Sequence, residues 1–132
     1  MQTLNPLHMK VLARPESAQE VRTVLRGWLG AHVPEREIDD AELIATELVA
    51  NSVRHAGLAP YDVVRVRAAA HDEVLHLEVE DDGQAGMPQR RVPDGANGGL
   101  GLNLVHMLAI DWGVEHNGHT TVWAELPAHR AL

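Results

Sequence analysis

Apolar residues recur three and four positions apart in three stretches of the chain, which is the spacing of an amphipathic helix. The predicted helices cover residues 18–29, a segment from residue 35 or 38 to residue 55, and residues 102–109. Ser17 and Glu20 give the first helix a capping-box pattern at its start. Gly57 is a natural C-cap for the second helix.

Apolar and polar residues alternate in five other stretches, as expected for half-buried strands. The predicted strands cover residues 7–13, 63–68, 74–80, 111–115 and 120–126. Asp72-Glu73 and Asn117-Gly118 are the turns of two predicted hairpins. The element order predicts an α/β fold, a two-layer α/β sandwich in which three helices cover one face of a mostly antiparallel sheet. The other face must be solvated or paired, and we expect a homodimer formed through the first strand or through that face.

Two segments carry neither pattern. Residues 84–98 combine turn residues with a stretch that has no periodicity, so we expect a mobile loop that is long enough to be a lid. Residues 127–132 are expected to fray. With 132 residues in total, the chain has the size of one domain, whose core covers about residues 7–127.

The composition of the chain argues against several kinds of chemistry and several kinds of partner. The chain has no cysteine, which excludes thiolate chemistry and is compatible with a reducing cytoplasm. It has no signal-peptide pattern and no run of about eighteen apolar residues, so we expect no membrane partner. The formal net charge of −8 argues against direct nucleic-acid binding and suits a basic protein partner. The histidines show no metal-ligand spacing, and Trp28, Trp112 and Trp123 are expected in the core.

Glu47 and Asn51 are the strongest candidates for chemistry. They lie four residues apart in the second predicted helix, so their side chains stack on one face with about 5–6 Å between Cβ atoms. A carboxylate and an amide in this arrangement can address one hydrated metal ion or one phosphate. Arg54 continues the same stripe, although a cation at a helix end also fits a capping role. On spacing alone, a solvated pair on an exposed face is the alternative interpretation.

A glycine cluster, Gly98, Gly99 and Gly101, lies at the start of the third predicted helix. Glycines there let backbone N–H groups approach an anion, and the helix dipole favours negative charge. Phosphate is the obvious candidate, although ordinary loop glycines would give the same pattern. Asp81 and Asp82 similarly have two interpretations, as ligands or as an ordinary turn after a strand.

Three separated motifs occur in one order along the chain: TELVANSVRHA at residues 46–56, VEDDGQAGMP at 79–88 and NGGLGLNLV at 97–105. Together they resemble the GHKL superfamily of ATP-binding domains, which have the Bergerat fold. The short length and the closing TVWAELP at 121–127 resemble its bacterial branch of anti-sigma factor serine/threonine kinases. The resemblance extends from about residue 7 to residue 127 and so covers nearly the whole chain.

The resemblance implies a role for each matching position. Glu47 matches the general base for the group that attacks the γ-phosphate of ATP, and Asn51 matches the amide that holds Mg²⁺. Asp81 matches the acceptor of the adenine amino group, and Gly83 matches the glycine that lets the base approach. Ala85 departs from the family, which often has a glycine there. Further implied nucleotide contacts are Arg54, Gly86, Gly98, Gly99, Leu100, Gly101, Leu102 and Thr121.

These implications predict an ATP-dependent kinase, with ATP and Mg²⁺ as cofactors, that binds a sigma factor and phosphorylates an anti-anti-sigma factor. The alternative is a catalytically silent module that binds nucleotide as a conformational ligand and sequesters a protein partner. Glu47 favours the kinase, because a pure binding site has no use for a base at that position. The catalytic half of a histidine kinase is disfavoured, because no phosphoacceptor helix precedes the predicted domain.

Overall fold

The computed structural model describes residues 4–55, 57–83 and 100–131, and within these ranges it contains three α-helices and five β-strands. In chain order these are β1 (Leu7–Leu12), α1 (Ser17–Leu29), α2 (Glu35–His55), β2 (Val63–His71), β3 (Val74–Asp81), α3 (Leu100–Leu108), β4 (Asp111–His116) and β5 (Thr120–Pro127). The loop that the sequence predicts at residues 84–98 lies outside the described ranges. None of the described helices has the length and hydropathy that a membrane span needs.

The five strands form one sheet in the order β1-β2-β3-β5-β4, and every neighbouring pair is antiparallel. Two tight turns make this order possible. Asp72 and Glu73 both have positive φ, at 52° and 65°, which matches the twist of the hairpin that joins β2 to β3. Gly118 supplies the positive φ, at 79°, in the connection between β4 and β5. The predicted α/β fold with a mostly antiparallel sheet is confirmed.

The sheet has an inner face toward the helices and an outer face away from them. Along β3, inner-face residues such as Leu75 and Leu77 are buried, while outer-face residues such as Glu78 and Glu80 keep part of their surface exposed. This alternation follows from the two-residue period of a strand. The largest fully buried side chains are Leu25, Leu29, Ile44, Leu48, Leu75, Leu77 and Leu126. The core therefore lies between the sheet and the helical layer, as predicted.

Trp123 does not lie in the core, and that prediction was wrong. It occupies the outer face of β5, between the buried residues Val122 and Ala124, and stacks on His76 with 5.7 Å between ring centroids. Its indole also covers Gly113 of the neighbouring strand. A Cβ at Gly113 would come within 2.8 Å of the Trp123 Nε1, so any larger residue at this position would clash with the indole ring.

Ser17 does not cap α1 as predicted. The helix begins at Ser17 itself, and the residue at the N-cap position, Glu16, makes no side-chain capping bond. The Ser17 hydroxyl instead donates a hydrogen bond to the carbonyl oxygen of Leu12 at 2.6 Å. It therefore connects the start of α1 to the end of β1.

The C-terminal segment is docked, whereas the sequence predicted that it would fray. The backbone N–H of Ala128 donates to the carbonyl oxygen of Glu73 at 2.9 Å, and that of Ala131 donates to His32 at 3.0 Å. Ala128 is 1% exposed and belongs to the core. These backbone hydrogen bonds and the burial of one small apolar residue hold residues 127–131 against the turn between β2 and β3 and against the segment that precedes α2.

Candidate functional site

Most acidic side chains in the N-terminal half of α2 are paired with other residues. Arg26 of α1 donates hydrogen bonds to three of its carboxylates, those of Glu35, Asp39 and Glu42. These bonds, the one to Glu42 above all, raise the pKa of the Arg26 guanidinium further above its ordinary value. This half of the helix therefore fastens α1 to α2.

Glu37 adds a second structural contact on the same half. This residue is 8% exposed, and its carboxylate accepts a hydrogen bond from the backbone N–H of His129 at 2.6 Å. The Nδ1 atom of the His129 ring contacts the other carboxylate oxygen, and this hydrogen bond raises the pKa of His129. The contact holds the C-terminal segment against the helix.

The C-terminal half of α2 is different. Glu47 and Asn51 lie one turn apart, and Arg54 follows on the same stripe. Glu47 and Asn51 are half-buried, whereas Arg54 is exposed. Among the residues that the structure describes, none forms a hydrogen bond or ion pair with the Glu47 carboxylate or the Asn51 amide. Within the described part of the chain, both groups therefore differ from the acids that surround Arg26.

Asp81 ends β3 on the same side of the sheet as α2. It continues the inner-face alternation of the strand and is 2% exposed. Its Oδ1 atom accepts a hydrogen bond from the backbone N–H of Gly83 at 2.8 Å, which is an Asx-turn contact. Because α2 packs against β3, the buried Asp81 carboxylate lies on the sheet face that the helical layer covers.

Thr121, which the motifs assign to the nucleotide, lies on the outer face. In the ladder between β3 and β5, Asp81 lies opposite Thr120 and Glu80 lies opposite Thr121. Because successive strand residues point to opposite faces, Thr120 shares the inner face with Asp81. By register, Thr120 rather than Thr121 is therefore the neighbour of Asp81 on the inner face, and the sequence analysis did not single it out. Thr120 lies two positions before the inner-face residue Val122, and this spacing could have identified it from the sequence.

Three of the remaining assigned residues, Leu100, Gly101 and Leu102, lie in α3. Leu102 is 6% exposed and packs into the core from this helix, which contacts α2. Leu100 and Gly101 are its first two residues. Gly86, Gly98 and Gly99 lie outside the described residues, so their contact with phosphate stays a prediction.

A second polar group, which the sequence analysis did not identify, lies on the outer face at the end of β3. Glu80, Asp82 and His119 each place one ligand atom within 4.8 Å of the others. Arg67 Nη2 lies 2.6 Å from Glu80 Oε1, and Arg65 Nη1 lies 3.7 Å from Asp82 Oδ2. Arginine cations therefore already face both carboxylates. The group links three strands, and we assign it no metal ion.

The outer-face charges also shift each other's protonation. Hydrogen bonding to Glu80 raises the pKa of Arg67, against the opposing effect of burial. Burial acts to raise the pKa of Glu78, but hydrogen bonds from His76 and Arg67 outweigh it and lower that pKa. These hydrogen bonds therefore favour the charged forms of the Glu78 carboxylate and the Arg67 guanidinium.

Comparison with known proteins identifies the family and the fold. The model of the histidine kinase-like ATPase domain family matches residues 11–126. The crystal structure of the RsbU and RsbW domains of Rv1364c from Mycobacterium tuberculosis matches with a TM-score of 0.72 and 25% identity, over 97% of this chain and 34% of that chain. This chain thus spans about a third of the length of that protein. No curated protein matches the sequence. The match to the family model over most of the sequence shows that the chain belongs to the histidine kinase-like ATPase domain family.

Proposed function

We propose that this protein is an anti-sigma factor serine/threonine kinase, which binds a sigma factor and transfers the γ-phosphate of ATP to an anti-anti-sigma factor. Family membership supports ATP binding. The three sequence motifs resemble those of anti-sigma factor kinases, and the similar crystal structure contains an RsbW domain. The observation that carries the proposal is the contrast within α2, where Glu47 and Asn51 have no described protein partner although most neighbouring acids are paired.

Asp81 gives the site its preference for adenine. A carboxylate at a buried position can accept a hydrogen bond from the 6-amino group of adenine, whereas guanine presents a carbonyl oxygen at that point. Two acceptors would then face each other without a proton between them. Gly83 holds Asp81 Oδ1 through its backbone N–H, so the carboxylate has a fixed orientation before nucleotide arrives.

The residues present fit a magnesium ion bound together with nucleotide. Mg²⁺ prefers hard oxygen ligands, keeps several waters, and often takes few ligands from the protein because phosphates supply others. The Asn51 amide oxygen is such a ligand, and it is half-buried without a described partner. The ion would neutralise charge on the phosphates during transfer.

Glu47 acts as the general base in this proposal. It accepts the proton of the serine or threonine hydroxyl while the hydroxyl oxygen forms a bond to the γ-phosphorus. The bond between that phosphorus and the β,γ-bridging oxygen breaks, and ADP leaves with the electron pair. Such a positioned base contributes about 10²–10⁴ in rate. A silent binding module with the same fold would bind ATP and omit this step.

Incubation of the purified protein with Mg²⁺, γ-labelled ATP and candidate anti-anti-sigma proteins from the same genome tests the proposal. Each candidate is supplied in parallel with its acceptor serine or threonine replaced by alanine. The proposal predicts label on one unsubstituted candidate and none on its alanine counterpart. ATP binding without transfer to any candidate would favour the silent module.

A further inference from the structure

His119 and Asp82 meet just beyond the last backbone pair of β3 and β5. That pair joins Asp81 to Thr120, so His119, which precedes Thr120, occupies the next position across from Asp82. The Nδ1 atom of His119 contacts Asp82 Oδ1 and lies 3.8 Å from Glu80 Oε2. A side-chain contact therefore continues the pairing of the two strands where their backbone ladder stops.

The two carboxylates that flank Asp81 are also held from β2. Arg67 Nη2 lies 2.6 Å from Glu80 Oε1, and Arg65 Nη1 lies 3.7 Å from Asp82 Oδ2. Cross-strand pairs of opposite charge stabilise the local register of a sheet. Glu80 and Asp82 are therefore held by both neighbouring strands, with arginines on one side and His119 on the other.

These outer-face contacts bear on the inner face through the backbone. Asp81 lies between Glu80 and Asp82 and points the opposite way, so its carboxylate position follows from where those two residues hold the strand. The backbone pairing of β3 ends at Asp81, and the next described residues are Asp82 and Gly83. Strand ends fray easily unless side chains hold them. The contact between His119 and Asp82 therefore holds the strand at the residue next to Asp81.

We propose that His119 is a positioning residue for adenine recognition, because its contact with Asp82 fixes the end of β3 and thereby the Asp81 carboxylate. This inference rests on the proposed function, in which Asp81 accepts from adenine. His119 touches no nucleotide atom in this account. Its loss should therefore weaken nucleotide binding and leave the rate of phosphoryl transfer at saturating ATP unchanged.

The test compares His119→Ala with a control at His71, the last residue of β2, which lies near the opposite end of β3 from Asp81. His71 lies 3.0 Å from Asp72 through its Nε2, and both side chains are well exposed beside the turn that begins β3. His71→Ala therefore removes a similar surface contact far from Asp81. His119→Asn is the conservative variant, since its amide nitrogen can take the place of the imidazole Nδ1.

Calorimetric titration with Mg-ATP and with the inosine analogue, which lacks the amino group, gives the readout. We expect His119→Ala to bind Mg-ATP about three- to tenfold more weakly, the range for loss of an exposed to partly buried charged contact. The same substitution should weaken binding of the inosine analogue less. His71→Ala should bind Mg-ATP as tightly as the unsubstituted protein, and His119→Asn should recover most of the affinity. Unchanged Mg-ATP affinity in His119→Ala, or equal loss for both nucleotides, overturns the inference alone. Absence of saturable ATP binding by the unsubstituted protein overturns the proposed function and the inference together.

Discussion

The two halves of α2 differ in how their polar side chains are held. In the first half, the carboxylates of Glu35, Asp39 and Glu42 surround Arg26. In the second half, Glu47 and Asn51 are half-buried and lack partners among the described residues. A half-buried polar group without a protein partner keeps its hydrogen-bonding capacity for water or for a ligand. We therefore expect Glu47, rather than the acids that surround Arg26, to serve a ligand.

The largest expected effect comes from making the same glutamate-to-glutamine substitution in each half of α2. Glu47→Gln keeps size and hydrogen bonding but removes the proton acceptor, so phosphoryl transfer should fall by about 10²–10⁴ while Mg-ATP affinity stays within a few-fold. Glu42→Gln makes the same change in the first half and should leave transfer near the unsubstituted rate. A single-turnover assay with labelled ATP measures both variants. Comparable losses in the two variants would contradict the division of the helix.

Asn51→Ala should act on binding as well as on transfer. Removing the proposed ligand of the metal should weaken Mg-ATP binding by at least about tenfold. Metal-free nucleotide binding should change much less, because the ion is what the amide holds. Gln19→Ala, which removes an exposed amide on α1, is the control and should change neither titration. Equal weakening with and without Mg²⁺ would remove Asn51 from the metal site.

Arg26→Ala should reverse the pattern and affect stability only. It leaves three carboxylates without their shared cation, one of them the Glu42 carboxylate at 12% side-chain exposure. We expect the thermal midpoint to fall by a few degrees, with Mg-ATP affinity unchanged. Arg22→Ala is the matched control, since Arg22 reaches Glu42 only at 3.7 Å and should cost less. Loss of nucleotide affinity in Arg26→Ala would show that the halves are not independent.

The smallest effect concerns pH and the contact between Glu37 and His129. The pKa of His129 is raised in the folded protein by its hydrogen bond to Glu37. The associated stabilisation is complete below the unfolded pKa of about 6.5 and is lost as pH rises through the higher folded value. The difference in unfolding free energy between the unsubstituted protein and His129→Ala should therefore shrink as pH rises above neutrality. In a Glu37→Gln background, the effect of His129→Ala on the unfolding free energy should be small at every pH. Denaturation series at several pH values measure the effect in both backgrounds. An effect that persists in the Glu37→Gln background would contradict the assigned role of the pairing.

Local patterns predicted the helix and its candidate residues, because helical spacing is a property of neighbouring positions. The bounds of α2 and the stacking of Glu47 with Asn51 needed only the residues between 35 and 55. The wrong prediction for Trp123 arose from hydrophobicity alone. Successive strand residues point to opposite faces, so Trp123 lies on the outer face because its neighbour Val122 lies on the inner face. This alternation was present in the sequence.

Contacts between distant positions could not be predicted in the same way. His119 meets Asp82 across 37 positions, and His129 meets Glu37 across 92. Each contact depends on the strand order or on where the C-terminal segment docks, which local periodicity does not specify. The paired state of the acids in α2 likewise became visible only when α1 placed Arg26 beside them.

Adenine recognition by Asp81 is the central claim, and calorimetric titration of the unsubstituted protein with Mg-ATP and Mg-GTP tests it most directly. Guanine would place its carbonyl oxygen against a carboxylate that is 2% exposed, so an acceptor would remain unsatisfied at a cost of about 1–3 kcal/mol or more. We predict that ATP binds at least about tenfold more tightly than GTP. Equal affinity for the two nucleotides, or saturable binding of neither, would contradict the account.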